Sequence, residues 1–139
     1  MTRFVLDASV ALRWFLSNPV PAYARRVRRL MLEGARAVVP ALWHLEMANG
    51  LAVAERRGIV TATDADQSLT DIEGLLGRAI ESDPALVSVR QALTIARTFQ
   101  LSAYDAVYLD VARRERLPLA TLDEDLRAAA TQAGVAVVR

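Results

Sequence analysis

Short apolar runs alternating with amphipathic helical segments predict an α/β protein whose parallel sheet is covered by helices on both faces. A second observation supports that class: glycines and prolines fall at the ends of the periodic segments, where a chain turns between strand and helix. Arg3 to Leu6 reads as a short buried strand, and a helix follows from about Ser9 to Leu16. Asn18-Pro19-Val20-Pro21 is a breaker, and a second helix runs from Ala22 to Glu33 until Gly34 stops it. Ala35 to Val39 is the next strand, ended by Pro40. Ala41 to Arg57 is a long helix closed by Gly58, with basic residues in its last turn as the helix dipole favours. Thr63 to Leu76 is a further helix with a threonine cap and an acidic first turn, and Arg78 to Glu81 a short strand. Asp83-Pro84 supplies an N-cap and an N1 proline for a helix reaching Phe99. Ser102 to Arg116 is the next helix, Pro118 to Leu122 a strand, Asp123 to Ala133 a helix ended by Gly134, and Val135 to Val138 the last strand. The helix pair from Ala41 to Leu76 is the one excursion long enough to project from the sheet.

A chain of 139 residues is most economically one domain, 1–139, and long enough to bury roughly 70% of its unfolded surface. Hydrophobic residues at 53% and charged residues at 24% describe a globular chain rather than a disordered one. No apolar run approaches the roughly 20 residues that cross a bilayer. Phe4-Val5-Leu6 meets Asp7 too soon for a signal-peptide core, so a cytoplasmic location is expected. The absence of cysteine excludes disulfides, thiol catalysis and thiolate zinc sites. All 17 basic residues are arginines, which excludes a Walker A loop and Schiff-base chemistry. Biased codon usage in a GC-rich genome is the favoured account of that composition, although arginine also grips phosphate in a fork that lysine lacks.

Four acidic motifs point to chemistry. They are Val5-Leu6-Asp7-Ala8-Ser9, Leu45-Glu46-Met47-Ala48-Asn49, Tyr104-Asp105-Ala106-Val107-Tyr108 and Ala120-Thr121-Leu122-Asp123. Asp7 and Asp123 follow apolar strands directly, at the carboxyl ends where open parallel sheets bind ligands. Each is also a preferred N-cap for the helix it precedes. Asp105 has Leu101, Ser102, Tyr108 and Leu109 at helical spacing, a mostly apolar stripe in which an ionised carboxylate is costly unless paired or metal-bound. Asp110 serves as a control, since Arg113 and Arg114 beside it suit a solvated acid with a local ion pair. Glu46 and Asn49 share one helical face, where they could hold a metal-bound water or each other. Four acids gathered in one place repel unless a cation separates them, and a hard divalent ion is the simplest such partner.

The remaining candidates have bland readings. His44, the sole histidine, points away from Glu46 and suits the surface. Arg25, Arg26, Arg28 and Arg29 form a solvated helix face, with an RNA-facing patch as the sharper alternative. Tyr104 and Tyr108 read as core, Glu124 and Asp125 as first-turn acids, and Trp14 with Phe15 as core or a subunit interface.

Taken in order, Asp7-Ala8-Ser9, Glu46-Met47-Ala48-Asn49, Tyr104-Asp105-Ala106-Val107-Tyr108-Leu109 and Thr121-Leu122-Asp123 resemble the motifs of the PIN-domain nucleases. The resemblance is nearest to the VapC ribonuclease toxins of toxin–antitoxin pairs and runs from Phe4 to the last strand. It implies a three-layer α/β/α sandwich with a central parallel five-stranded sheet. It further implies Mg²⁺-dependent endonucleolytic cleavage of RNA by metal-activated water, with Mn²⁺ able to substitute, and neutralisation by a cognate antitoxin. By matched position, Asp7, Glu46, Asp105 and Asp123 would be the catalytic acids and Asp7, Asp105 and Asp123 the metal ligands. Ser9, Asn49 and Thr121 would form a supporting polar shell. A homodimer is implied too, with the helical excursion and the Trp14 region as interface candidates.

Two other classes fit the same acids. A metal-dependent phosphatase acting on a small phosphate ester also uses strand-end aspartates, and structured RNA against a generic phosphomonoester separates the two. A non-catalytic partner-binding module could use the acidic pocket merely to receive an arginine, and would then bind no Mn²⁺ in calorimetry.

Overall fold

In a computed structural model, which describes residues 2–139, Phe4, Val5 and Leu6 are wholly buried and form the centre of the sheet. They belong to β1 (Arg3–Leu6), which pairs in parallel with β2 (Arg36–Val39) on one side and β4 (Leu119–Ala120) on the other. β3 (Ile80–Ser82) pairs in parallel with β2, giving the order β3-β2-β1-β4. The strands are continuous apolar runs because both faces are covered.

The expected fifth strand is a correction. Val135–Val138 touches the sheet at a single parallel bridge, Leu119 to Val137, held by Leu119 N–H to the Ala136 carbonyl and Val138 N–H to the Leu119 carbonyl, each 2.9 Å. β4 offers no longer ladder. The Leu117 N–H before it donates to the Ala112 carbonyl at 2.9 Å, and the Val138 carbonyl accepts from the Tyr23 hydroxyl at 2.7 Å rather than from the sheet. The described sheet therefore has four strands.

Helices α1 (Ala8–Leu16), α2 (Ala22–Leu32), α3 (Ala41–Arg56) and α4 (Ala62–Arg78) pack among themselves, as do α5 (Val89–Phe99), α6 (Ala103–Glu115) and α7 (Glu124–Gln132). With the strand order β3-β2-β1-β4, the rule that such crossovers are right-handed assigns the two groups to opposite faces. Gly50 permits the close approach of α3 to α1, since a Cβ there would stand 2.5 Å from Leu12 Cδ2. Thr61 caps α4 in a reciprocal box with Asp64.

A second correction concerns α5, which begins at Val89 rather than at Asp83-Pro84. The Asp83 carboxylate is already occupied by the Arg114 guanidinium at 2.7 Å and its N–H by the Val39 carbonyl at 2.8 Å. Ser88 caps α5 instead, its hydroxyl accepting from Gln91 N–H.

The chain runs from β1 out to β2 and β3, then returns past β1 to β4. The direction reverses between β1 and β4, and the crevice over their carboxyl ends is where such sheets bind ligands.

Candidate active site

Asp7 stands at the end of β1, its N–H bonded to the Ala120 carbonyl of β4 at 3.0 Å. Its side chain is only 4% exposed and makes no hydrogen bond that caps α1, so the capping alternative does not describe it. Both the Ser9 hydroxyl and the Thr121 hydroxyl donate to Asp7 Oδ2, each at 2.7 Å. Oδ1 receives neither. The two hydroxyls are themselves fixed as acceptors, Ser9 from Leu122 N–H and Thr121 from Asp123 N–H, each at 3.0 Å. Four bonds thus lock the strand-end turn of β4 onto the carboxylate of β1. Burial raises the Asp7 carboxyl above the usual range, the Ser9 and Thr121 bonds pull it back, and the charge of Asp123 raises it again.

Asp123 does cap its helix, Oδ1 accepting from Leu126 N–H at 2.9 Å. One oxygen capping α7 leaves the carboxylate half-buried at the crevice. Asp105 lies in the first turn of α6, which Ser102 caps through Asp105 N–H at 3.1 Å. Burial and then the charges of Asp123, Asp7, Glu46 and Asp125 push its carboxyl up to about 6. Glu46, on α3, is also raised, by burial first and by Asp7, against a bond from the Tyr108 hydroxyl to Oε1 at 2.6 Å.

The structure thus brings the four predicted acids into one electrostatic neighbourhood, from α3, α6 and two strand ends. Among the described residues no arginine forms an ion pair with any of them. Nor do three of them stand close enough for a ready-made cation cage. What they offer is an oxygen-only donor set with uncompensated negative charge, the chemistry a hard divalent ion accepts. Asp7, Asp105 and Asp123 could hold such an ion.

Several sequence expectations shift. Asn49 is exposed, and Glu46 is bonded to Tyr108 rather than to it. Tyr108 is wholly buried as expected, but its hydroxyl makes it part of the site; its position three residues after Asp105 on one helix face was the available signal. Its hydroxyl is raised by burial and by the acids around it. Tyr104, expected in the core, is 64% exposed: it lies one turn before the buried Tyr108 on the same side of α6, in the first turn of that helix. Asp110 has the expected arginine partner, Arg114 at 3.6 Å, yet it is buried rather than solvated and also accepts from Gln91 at 3.1 Å. His44 is exposed as expected, with Nε2 2.7 Å from the Ser82 hydroxyl. Asp125, a first-turn acid of α7, adds to the field on Asp105. No helix is long and apolar enough to cross a membrane among the described residues.

The fold is similar to that of the protein PAE2754 from Pyrobaculum aerophilum, with a TM-score of 0.66 and 25% identity over 92% of this chain and 79% of that one. It is also similar to a domain of a functionally unknown protein from Methanocaldococcus jannaschii, with a TM-score of 0.57 and 17% identity over 99% of this chain and 90% of that one, a likeness of fold alone. No curated protein matches the chain. The PIN domain model matches residues 4–132, a span that contains all four acids. PIN domains are generally nucleases that need a divalent metal such as Mg²⁺. By that match across most of its length, the chain belongs to the PIN-domain family.

Proposed function

We propose that this chain is a Mg²⁺-dependent endoribonuclease of the VapC toxin type, using Mn²⁺ as a substitute, acting in the cytoplasm and neutralised by a cognate antitoxin. The observation that carries the catalytic reading is the mutual elevation of Asp7, Glu46 and Asp105 without an arginine between them. Acids that merely stabilise a fold are paired; these are left to wait for a cation.

Each residue has a role in this reading. Asp7, Asp105 and Asp123 would hold the metal. Ser9 and Thr121 fix Asp7 by occupying Oδ2, which aims Oδ1 at the crevice. Glu46, oriented by Tyr108 and raised above the ordinary carboxyl range, takes the proton from the attacking water. Asn49 lies at the rim. A bound divalent ion acidifies water and neutralises charge growing on the phosphate oxygens. Attack by water rather than by the ribose hydroxyl leaves a 5′-phosphate and a 3′-hydroxyl.

Mapping RNA ends with wild type and Asp7→Asn in Mg²⁺ tests the reading. The expected result is internal cuts bearing 5′-phosphates that vanish in the variant and in EDTA. Undiminished, EDTA-resistant cleavage by Asp7→Asn sinks it. Hydrolysis of a phosphomonoester with no cutting of RNA assigns the phosphatase class instead.

A further inference from the structure

Arg127 stands where two local rules disfavour it. It lies one turn into α7, its N–H bonded to the Asp123 carbonyl at 2.9 Å. A cation so near a helix N-terminus opposes the helix dipole. Its Nε is buried and meets no acceptor, a cost that folded chains ordinarily avoid. Among the described residues it forms no ion pair, although Asp123, Glu124 and Asp125 closely precede it. Neither helix stability nor a salt bridge accounts for the residue.

Its contacts lead to the end of β4. Nη2 donates to the Thr121 carbonyl at 2.7 Å. The guanidinium lies over the Tyr23 ring, 5.0 Å from its centroid, where a cation is attracted to the ring face. Tyr23 is fixed in turn by its hydroxyl, which donates to the Val138 carbonyl at 2.7 Å. α2 and the C-terminal segment thus hold the arginine against the Thr121 turn. The Thr121 carbonyl belongs to the same peptide as the Leu122 N–H, and that N–H donates to the Ser9 hydroxyl at 3.0 Å. A peptide unit is planar, so Arg127 and Ser9 grip the two ends of one rigid plate.

We propose that Arg127 is a positioning residue of the acidic crevice, clamping the Thr121–Leu122 peptide so that the Thr121 and Ser9 hydroxyls both stay on Asp7 Oδ2. Because the guanidinium holds a carbonyl and not a carboxylate, it fixes the turn without neutralising the acids. The clamp itself is independent of the nuclease reading; its use in cleavage rests on that reading.

Amide hydrogen exchange followed by NMR in the metal-free protein, wild type against Arg127→Met, tests the clamp. The Leu122 and Asp123 amides should exchange at least about tenfold faster in the variant, with those of β1 and β2 unchanged. In Mg²⁺, turnover of RNA should fall by about 10- to 100-fold at constant KM. Adding Arg127→Met to Thr121→Val should lower turnover little further, since both act through one hydroxyl. Equal acceleration of all amides overturns the proposal, because Arg127 then serves stability alone. Unchanged exchange overturns it as well, and so does faster exchange with undiminished cleavage. If Arg127→Met does not fold, Tyr23→Leu removes the ring beneath the guanidinium and should accelerate the same two amides; no acceleration there overturns the clamp. A wild type that cuts no RNA, with exchange as expected, supports the clamp and removes the nuclease reading alone.

Discussion

The molecule contains two groups of buried or half-buried acids, and they are built on opposite principles. In one, Asp83 and Asp110 share Arg114, at 2.7 and 3.6 Å, with Gln91 completing the shell of Asp110. The acids in turn raise the Arg114 guanidinium above its ordinary range, through the Asp83 bond foremost. In the other, Asp7 and Glu46 receive hydroxyls and Asp123 a backbone N–H, and among the described residues no arginine pairs with these three or with Asp105. A closed cluster tethers the strand end after β3 to α6. An open one stores negative charge. Burial alone therefore does not separate the two clusters; on the proposed reading, burial without a cation is what marks a functional acid.

The largest expected effect comes from the same substitution made in each cluster. Asp105→Asn should lower metal-dependent RNA cleavage by more than about a hundredfold, beyond what loss of a supporting residue costs a metal site. It should also raise the melting temperature of the metal-free protein at neutral pH, because it removes a charge the fold holds at a disadvantage. Asp110→Asn should leave cleavage intact and destabilise the fold. Turnover and calorimetry on the two variants read this out, and cleavage that falls equally in both would dissolve the distinction between the clusters.

Next in size is Arg114→Met, which strands Asp83 and Asp110 without their cation. A fully buried pair broken in this way costs about 3–5 kcal/mol. Arg114 is 35% exposed along its side chain, so a loss of about 2 kcal/mol is expected, measured by urea unfolding. The pH dependence of the open cluster has a definite sign. Asp7, Glu46 and Asp105 bind protons more tightly folded than unfolded, so their contribution to stability is greatest below their unfolded values, 3.8 for Asp105 and 4.5 for Glu46. It is lost as pH rises through the folded values, about 6 for Asp105. Metal-free wild type should therefore lose thermal stability from pH 4.5 towards 7 at this site, and Asp105→Asn should flatten that slope. Glu81, lowered chiefly by its bond to Arg3, adds an opposing slope below its unfolded value of 4.5.

Tyr108→Phe should act more modestly. It removes the 2.6 Å bond that orients Glu46 while keeping the ring in the core. Cleavage should fall by about 10- to 100-fold, with KM for RNA unchanged. A fall in KM affinity instead of turnover would move Tyr108 out of the site.

Four strands, the helix order and the gathering of the four acids near one crevice were legible because each depends on local pattern: apolar runs, 3.6-residue periodicity, and carboxylates at strand ends or on apolar helix faces. What was not legible depends on contacts across the chain. Asp83 and Pro84 have the local form of a helix start, but Arg114, 31 residues away, holds the carboxylate. Val135–Val138 has strand composition, yet the Tyr23 hydroxyl, 115 residues away, takes the Val138 carbonyl and a single bridge to β4 is left. Asp110 looked solvated because its second partner, Gln91, lies on another helix. Tyr104 and Tyr108 are chemically alike and share one side of α6, so only the turn each occupies decides that Tyr108 reaches Glu46.

Asn49 gives the smallest expected effect and the sharpest test of local reasoning. Helical spacing places it on the face of Glu46, and a carboxamide there has the chemistry to bind that carboxylate. The Tyr108 hydroxyl already occupies Oε1, and Asn49 is exposed. Asn49→Ala should therefore shift stability within about 0.5 kcal/mol, as exposed substitutions do, and leave turnover within about threefold of wild type. A larger fall confined to KM would make Asn49 a contact for RNA at the rim of the crevice. A fall in turnover comparable to that of Tyr108→Phe would mean that Asn49 closes on Glu46 only when substrate is bound, and that helical spacing had described the working site better than the resting one.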